Sequence, residues 1–122
     1  MMKPPSRVII PARGEVWSVN FDPSVGAEQT KLRPAVVVNV PEVGRLPLRI
    51  VVPLTDWKPR YVEHVWFVYV PHTVENGLIK DSGADAFQVK SLSVNRFEAK
   101  IGALTAEQMD DIAAAIALCI GY

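Results

Sequence analysis

The feature that most constrains the fold is a nearly continuous valine run, Ala35-Val36-Val37-Val38-Asn39-Val40. Such a run predicts a central strand covered on both faces, because only there do consecutive apolar side chains all find apolar neighbours. Residues 15–21 differ: Trp17, Val19 and Phe21 alternate with Val16, Ser18 and Asn20, which is typical of a strand with one buried face. The two segments together predict a small sheet with residues 35–40 at a central position.

Other segments extend this sheet. Four more short runs have the β-branched, aromatic or alternating pattern of strands, at residues 48–54, 63–70, 86–89 and 94–101. Residues 78–83 fit one short helical or 3₁₀ turn instead. The sequence therefore predicts five or six short strands.

A single helix is predicted at the C-terminal end. Thr105 and Gln108 have the spacing of a capping box, and Gly121 supplies a stop signal. Helical spacing between these ends is kept by Met109, Ile112, Ala113, Ile116 and Ile120. Because a small sheet cannot cover both of its faces without curling, we expect a mainly β protein with one α-helix, folded as a compact half-open barrel against which the helix packs.

Composition and charge narrow the function. The 122 residues suffice for one domain, and 13 Lys and Arg residues balance 13 Asp and Glu residues. A general electrostatic nucleic-acid binder is usually far more basic, so any nucleic acid must be bound at a local basic site. The single cysteine, Cys119, excludes an intrachain disulfide and a cysteine-rich zinc site, and is compatible with a reducing cytoplasm. No apolar span reaches transmembrane length.

The loop at residues 25–34 is more polar than a connection requires. Glu28, Gln29, Lys31 and Arg33 fall within six positions of it, and charged groups on a loop between rigid strands are typical of a working surface. Arg33 precedes Pro34, which favours an extended backbone and a well-anchored guanidinium.

Thr55 also stands where a strand meets a polar loop, residues 56–60. Two adjacent strands would bring Thr55 and Arg33 together, and a guanidinium with a hydroxyl can stabilise an oxyanion or phosphate without metal. The alternative is a surface salt bridge for Arg33 and a loop cap for Thr55.

Other reactive side chains have simpler interpretations. Trp57, flanked by Thr55 and by Lys58-Pro59-Arg60, either stacks a nucleobase or packs the loop down. Cys119 is expected to be a core thiol rather than a nucleophile. His64 and His72 have no matching ligand cluster, which argues against a metal site.

Six stretches of the sequence, together with the helix beginning at Thr105, resemble the pattern of one known protein family. The stretches are Arg13-Gly14-Glu15-Val16-Trp17, Phe21-Asp22-Pro23, Gly26-Ala27-Glu28-Gln29, Arg33-Pro34-Ala35-Val36-Val37-Val38, Pro53-Leu54-Thr55 and Gln88-Val89-Lys90-Ser91-Leu92. They resemble MazF/PemK-like toxins, the mRNA interferases of bacterial type II toxin–antitoxin pairs. The resemblance covers nearly the whole chain from Arg13, which predicts one domain at residues 13–122 after a Pro-rich tail at residues 1–12.

The resemblance implies a small SH3-like half-open barrel of the CcdB, Kid and MazF type, usually a homodimer. Such proteins cleave single-stranded RNA at short sequences without metal or another cofactor, and leave 2′,3′-cyclic phosphate and 5′-hydroxyl ends. They are held in check in the cytoplasm by a MazE-like antitoxin, whose disordered acidic segment is expected in the dimer groove.

The same resemblance assigns roles by position. Arg33 matches the catalytic arginine and Thr55 the catalytic threonine, while Glu28 is either a proton acceptor or a loop-orienting residue. The RNA-binding candidates, from the resemblance and from local charge, are Gln29, Lys31, Trp57, Lys58, Arg60, Gln88 and Lys90.

One departure and two rival functions remain. Some relatives have an acidic residue shortly after the position of Lys90, where this chain has Ser91-Leu92-Ser93. A barrel of the same fold can instead poison gyrase, but that activity depends on a C-terminal Trp-Gly-Ile, and this chain ends Cys119-Ile120-Gly121-Tyr122. A catalytically silent member would only bind RNA or antitoxin. The cleavage sequence cannot be read from the chain.

Overall fold

The computed structural model describes residues 8–23, 25–28, 31–43 and 47–122. Within these ranges the chain forms one α-helix, α1, at Ala106–Cys119. The strands are β1 Glu15–Asn20, β2 Leu32–Val37, β3 Leu48–Asp56, β4 Phe67–Val70, β5 Ser82–Asp85, β6 Lys90–Ser93 and β7 Phe97–Ala103. Three 3₁₀ turns lie at Pro59–Glu63, Ala86–Gln88 and Val94–Arg96. No helix in the described ranges has the length and hydropathy needed to cross a membrane.

The strands form one antiparallel sheet in the order β4-β5-β3-β2-β1-β7, and β6 also pairs with β3. The sheet does not close, so the predicted half-open barrel with a C-terminal helix is confirmed. β3 is the shared strand: residues 48–51 pair with β6 and residues 54–56 with β5. Pro53 lies between these two stretches and pairs with Ala35 of β2.

Two apolar clusters occupy opposite faces of the sheet. Val36 of the valine run belongs to the first cluster and Val37 to the second, so this strand is covered on both faces. β1 also contributes to both clusters, Val16 to the first and Trp17 and Val19 to the second, so the prediction that only one face of this strand is buried is wrong. Side chains of α1 complete only the first cluster.

The helix begins as predicted. The Oγ1 atom of Thr105 accepts a hydrogen bond from the Gln108 backbone N–H at 3.1 Å, and Gln108 Oε1 accepts one from the Thr105 N–H at 3.0 Å. The buried residues of α1 are Met109, Ile112 and Ala115. The prediction that Cys119 is a core thiol is wrong, since it is exposed, and Ala113 and Ile120 of the helical-spacing set are exposed as well. The helix packs against β4 and the Ala86–Gln88 turn. Ala113 lies on the exposed side of the helix, and Cys119 and Ile120 lie at its C-terminal end.

Several strand boundaries differ from the predictions. The second strand lies three residues earlier than expected, at Leu32–Val37, and the fourth is shortened to Phe67–Val70. Pro59 begins a 3₁₀ turn at Pro59–Glu63 because its fixed φ suits the first position of a helical turn.

The middle of the chain also departs from the predicted elements. Residues 86–88 form a 3₁₀ turn rather than a strand, and β6 follows it. Residues 78–83 do not form a helical turn. Instead β5, Ser82–Asp85, begins there despite low β propensity, because it pairs with β3 on one side and β4 on the other.

Candidate active site

The strand register brings the two predicted catalytic residues to one face. β2 and β3 pair Ala35 with Pro53, and Arg33 and Thr55 each lie two residues beyond that pair. Side chains two positions apart on a strand share a face, so Arg33 and Thr55 lie on the same side of the sheet. Both are half-buried. Thr55 lies inside β3, and not at the start of a loop as the sequence suggested.

Lys90 joins this face through the third partner of β3. It pairs with Val51, which is on the same side as Thr55 because four residues separate them along the strand. A guanidinium, a hydroxyl and an ammonium group are thus supplied from β2, β3 and β6. An arrangement of this kind is suited to a phosphate group.

The loop before β2 carries Glu28. Its Oε1 atom accepts a hydrogen bond from the Val25 backbone N–H at 2.7 Å, and its Oε2 atom lies 3.6 Å from Lys90 Nζ. The carboxylate therefore fixes the loop and also partly neutralises Lys90. Gln29, the next predicted residue, lies outside the described residues. Lys31 is exposed at the end of the loop, with φ +64°.

Gln88 connects this loop to the Ala86–Gln88 turn. Its Nε2 atom donates to Asp85 Oδ2 at 3.2 Å and, at a longer 3.5 Å, to the Ala27 carbonyl. A groove of about 450 Å³ runs between the two segments, lined by Ala27, Glu28, Phe87, Gln88, Val89 and Lys90. Three of the residues predicted from the sequence, Glu28, Gln88 and Lys90, thus line one groove.

Asp85 is a residue that the sequence reasoning missed. Its side chain is nearly buried, at 6% exposure, and among the described residues Oδ1 has no hydrogen-bond partner. Burial raises the pKa of Asp85, and this is offset in part by the side chain of Gln88 and by the backbone amides of Phe87 and Gln88. A lone carboxylate within the small residues Ser82-Gly83-Ala84-Asp85-Ala86 was the available signal.

Trp57 belongs to a second pocket, of about 390 Å³. It is lined by Trp57, Tyr61, Val62, Phe67 and Tyr69. Lys58 and Arg60 are exposed, and the Arg60 guanidinium lies 5.6 Å from the centre of the Tyr61 ring. The alternation of Phe67 and Tyr69 on one strand could have revealed this cluster from the sequence.

Neither histidine belongs to a metal site in the described part of the chain, where no group of three or more His, Cys, Asp or Glu side chains is arranged to hold an ion. His64 stacks on Trp66 with ring centres 4.6 Å apart. His72 Nδ1 lies 2.6 Å from Asp81 Oδ1, and Tyr69 donates to Asp81 Oδ2 at 2.8 Å. Hydrogen bonds from the His72 backbone, the His72 ring and the Tyr69 hydroxyl lower the pKa of Asp81 to about 2.

These features define a small half-open β-barrel with a phosphate-suited face supplied by β2, β3 and β6. Residues 12–120 match the family of PemK-like, MazF-like toxins of type II toxin–antitoxin systems. The chain belongs to this family.

Individual relatives agree with this assignment. Endoribonuclease MazF9 of Mycobacterium tuberculosis is 31% identical over 113 residues, which cover 87% of this chain and 92% of the relative. The crystal structure of MazF from Deinococcus radiodurans has the same fold, with a TM-score of 0.77 at 22% identity, covering 95% of this chain and 100% of that one. An endoribonuclease from a Mycobacterial species, solved in complex with its cognate antitoxin, gives a TM-score of 0.72 at 17% identity, covering 92% and 96%.

Proposed function

We propose that the protein is the toxin of a toxin–antitoxin pair and acts as a sequence-specific endoribonuclease on single-stranded RNA, messenger RNA in particular. The observation that carries the proposal is the register of β2 and β3, in which Arg33 and Thr55 lie equally far beyond the Ala35–Pro53 pair and on one face. The membership of the chain in the toxin family supports the same activity. Its place of action is the cytoplasm, and residues 13–122 act as one domain after the tail at residues 1–12.

The chemistry follows from the residue types. The ribose 2′-oxygen bonds to the adjacent phosphorus while the bond from phosphorus to the 5′-oxygen breaks. A base accepts the 2′-hydroxyl proton and the leaving oxygen takes up a proton, which gives a 2′,3′-cyclic phosphate and a 5′-hydroxyl without a metal ion. Negative charge grows on the nonbridging oxygens, where the guanidinium of Arg33 and the hydroxyl of Thr55 act as donors. Arginine stays protonated, so Arg33 is not the base.

Glu28 has two candidate roles. Accepting the proton would require Oε1 to leave the Val25 N–H, whereas orienting the loop uses the contacts already present. These contacts support loop orientation as its main role. Gln88 and Lys90 then bind RNA in the groove. Gln29 and Lys31 are proposed to bind RNA as well, while Trp57, Lys58 and Arg60 bind a flanking part of the strand.

The family of the chain and its structural relatives also support a proposal for its partners. The structural relatives include MazE–MazF complexes from Deinococcus radiodurans. For this chain we propose a homodimer and a MazE-like antitoxin, whose acidic segment covers the groove beside Lys90 and Arg33. The saturated complex should not cleave RNA, and undiminished cleavage by that complex would exclude this mode of inhibition.

The proposal is tested with a long unstructured RNA in EDTA. The wild type is compared with Arg33→Ala/Thr55→Ala, and Lys100→Ala removes an exposed cation of β7 as the control. We expect discrete cuts with cyclic phosphate ends from the wild type and the control, and none from the double variant. Intact RNA with saturable binding would identify a catalytically silent binder instead, and cuts that persist in the double variant would rule out the assigned residues.

A further inference from the structure

The aromatic pocket lies on the same face of the sheet as Thr55. Thr55 of β3 pairs with Gly83 of β5, and Gly83 pairs with Tyr69 of β4. Residues directly opposite one another in antiparallel strands share a face. Trp57 and Phe67, each two residues from a member of this row, lie on that face as well. Two strand spacings, about 10 Å in total, separate the backbone of Thr55 from that of Tyr69.

Gly83 has no side chain that could project between Thr55 and the pocket. A Cβ atom at this position would lie 3.0 Å from Phe67 Cδ1 and 3.1 Å from Trp57 Cε3. Any side chain here would therefore push the two rings apart. The glycine lets the rings approach the strand, and it places no side chain between Thr55 and Tyr69 in this row.

The walls of the pocket are flat rings in fixed orientations. Tyr61 and Phe67 stack with centres 3.9 Å apart and an angle of 4° between their planes. Trp57 meets Tyr61 edge-on at 5.7 Å and Tyr69 at 5.0 Å. The volume of about 390 Å³ is within the usual range for small-ligand sites.

The rim of the pocket is charged. Lys58 and Arg60 are exposed beside it, and Arg60 lies over the Tyr61 ring. Tyr69 is held by its hydrogen bond to Asp81. Aromatic walls with cations at the rim have the chemistry of single-strand nucleic-acid sites, where bases stack on rings and basic groups follow the phosphates.

We propose that this pocket binds one unstacked nucleobase of the RNA substrate, from a nucleotide within two positions of the phosphate at Thr55. The inference rests on the proposed endoribonuclease function and gives it a site that determines cleavage specificity. Continuity with the Thr55 face and the cationic rim favour RNA over a protein segment.

The test uses a short RNA containing the mapped cleavage sequence and a series of copies, each with one abasic nucleotide near the cut. In the wild type, one abasic position should lower kcat/KM by about 5- to 150-fold, the range expected for loss of one base–aromatic stack. Trp57→Ala should lose a similar factor on the intact RNA and show no further loss at that position. Trp57→Phe should retain most activity.

A second variant tests the pocket without removing an aromatic side chain. Val62 is 78% exposed on the pocket wall, so Val62→Glu should fold normally and place a negative charge against the base. Val74→Glu, at a 93% exposed valine that does not line the pocket, is the matched control. Of these two valine variants, Val62→Glu should abolish the sensitivity to the abasic nucleotide and Val74→Glu should keep it.

Failure of this inference is distinguishable from failure of the proposed function. Equal abasic sensitivity in the wild type, Trp57→Ala and Val62→Glu overturns the inference alone. Loss of antitoxin binding or self-association in these variants, with base sensitivity unchanged, assigns the pocket to a protein partner and also overturns it. If no RNA is cut, binding of short single-stranded RNAs of defined sequence, each compared with its abasic copies, decides: base-dependent binding that is lost in Trp57→Ala supports the pocket, and base-independent or absent binding rejects it.

Discussion

At the scale of single residues, Thr55 offers the cleanest separation of chemistry from folding. It is half-buried within β3, where pairing with Gly83 fixes its backbone. Its hydroxyl can therefore act as a donor at a defined position without contributing much to the core.

We expect Thr55→Val to remove the hydroxyl donor while keeping the shape and the β propensity of the residue. The kcat for RNA cleavage should fall by about 10²–10³-fold, the usual cost of losing one transition-state donor, with KM little changed. Single-turnover cleavage with saturating enzyme measures this directly. Thr55→Ser, which keeps a hydroxyl, should retain most of the activity. Equal rates for valine and serine would show that the hydroxyl takes no part.

Asp85 predicts a dependence of stability on pH. Burial raises its pKa, so the folded state binds the proton more tightly than the unfolded state. The contribution of Asp85 to the free energy of unfolding is therefore fully present below the ordinary Asp pKa. It is lost as the pH rises through the raised pKa of the folded state. Asp85→Asn cannot titrate.

Urea unfolding between pH 7 and pH 3.5 tests this expectation for Asp85. The stability of the wild type relative to Asp85→Asn should increase as the pH falls, and Asp110→Asn, at an exposed helix position, should not show this trend. A constant difference between wild type and Asp85→Asn across this range would mean that Asp85 has the same pKa in the folded and unfolded chains.

At the scale of elements, the sequence predicted the strand and the helix start that are determined by their own residues. The valine run needs apolar neighbours on both faces, and the Thr105–Gln108 cap satisfies its own helix start, so both could be predicted locally. β5 could not be predicted in this way, because Ser82–Asp85 becomes a strand only through its two partners.

The features of the site also divide into those that the sequence predicted and those that depend on the folded arrangement. Arg33 and Thr55 were found from the loop pattern and the family resemblance. Their common face, in contrast, depends on a register that no single segment contains. Asp85 and the pocket around Trp57 were missed because the burial of a carboxylate and the packing of separate rings into one pocket become visible only when β3, β4 and β5 are paired.

The connection between β4 and β5 is organised by a buried amide. Asn76 is 1% exposed, its Oδ1 atom accepts from the N–H groups of Thr73 and Leu78 at 3.0 Å, and Nδ2 donates to the Pro71 carbonyl at 2.8 Å. Gly77 follows with φ +70°, and a Cβ there would lie 1.8 Å from the Ile101 carbonyl oxygen. The connection therefore packs tightly on β7.

Asn76→Ala should leave three backbone groups of this connection without partners. Because an unpaired buried polar group costs about 1–3 kcal/mol and the Leu78 N–H is the buried one of the three, we expect a loss of about 1–3 kcal/mol in the free energy of unfolding. Urea titration measures the change. Asn95→Ala, at an exposed asparagine, should stay within about 0.5 kcal/mol of the wild type. A loss of less than about 1 kcal/mol in Asn76→Ala would show that water replaces these bonds.

At the scale of the whole molecule, equal numbers of acidic and basic residues leave no net charge to attract RNA. Affinity must come from the local cations Lys31, Arg33, Lys58, Arg60 and Lys90, and Glu28 lies 3.6 Å from the last of these. RNA binding should therefore depend on a few cationic contacts, and at Lys90 the carboxylate of Glu28 already offsets the charge. The same balance leaves room for an acidic antitoxin to compete at the groove.

The salt dependence of RNA binding tests this balance. Each neutralised phosphate of a single strand contributes about −0.7 to the slope of log K against log salt, so five cations give about −3.5 at most. With Lys90 partly neutralised by Glu28, we expect a slope between about −2 and −3.5 for an RNA whose attacking 2′-hydroxyl is replaced by hydrogen. Glu28→Gln should steepen the slope by up to about 0.7 and raise affinity at low salt, because it releases Lys90. Glu98→Gln, at an exposed carboxylate of β7, is the control for net charge and should change the slope little. A wild-type slope near −6 would require more phosphate contacts than these five cations supply, and RNA would then have to extend over a surface beyond the groove and the aromatic pocket.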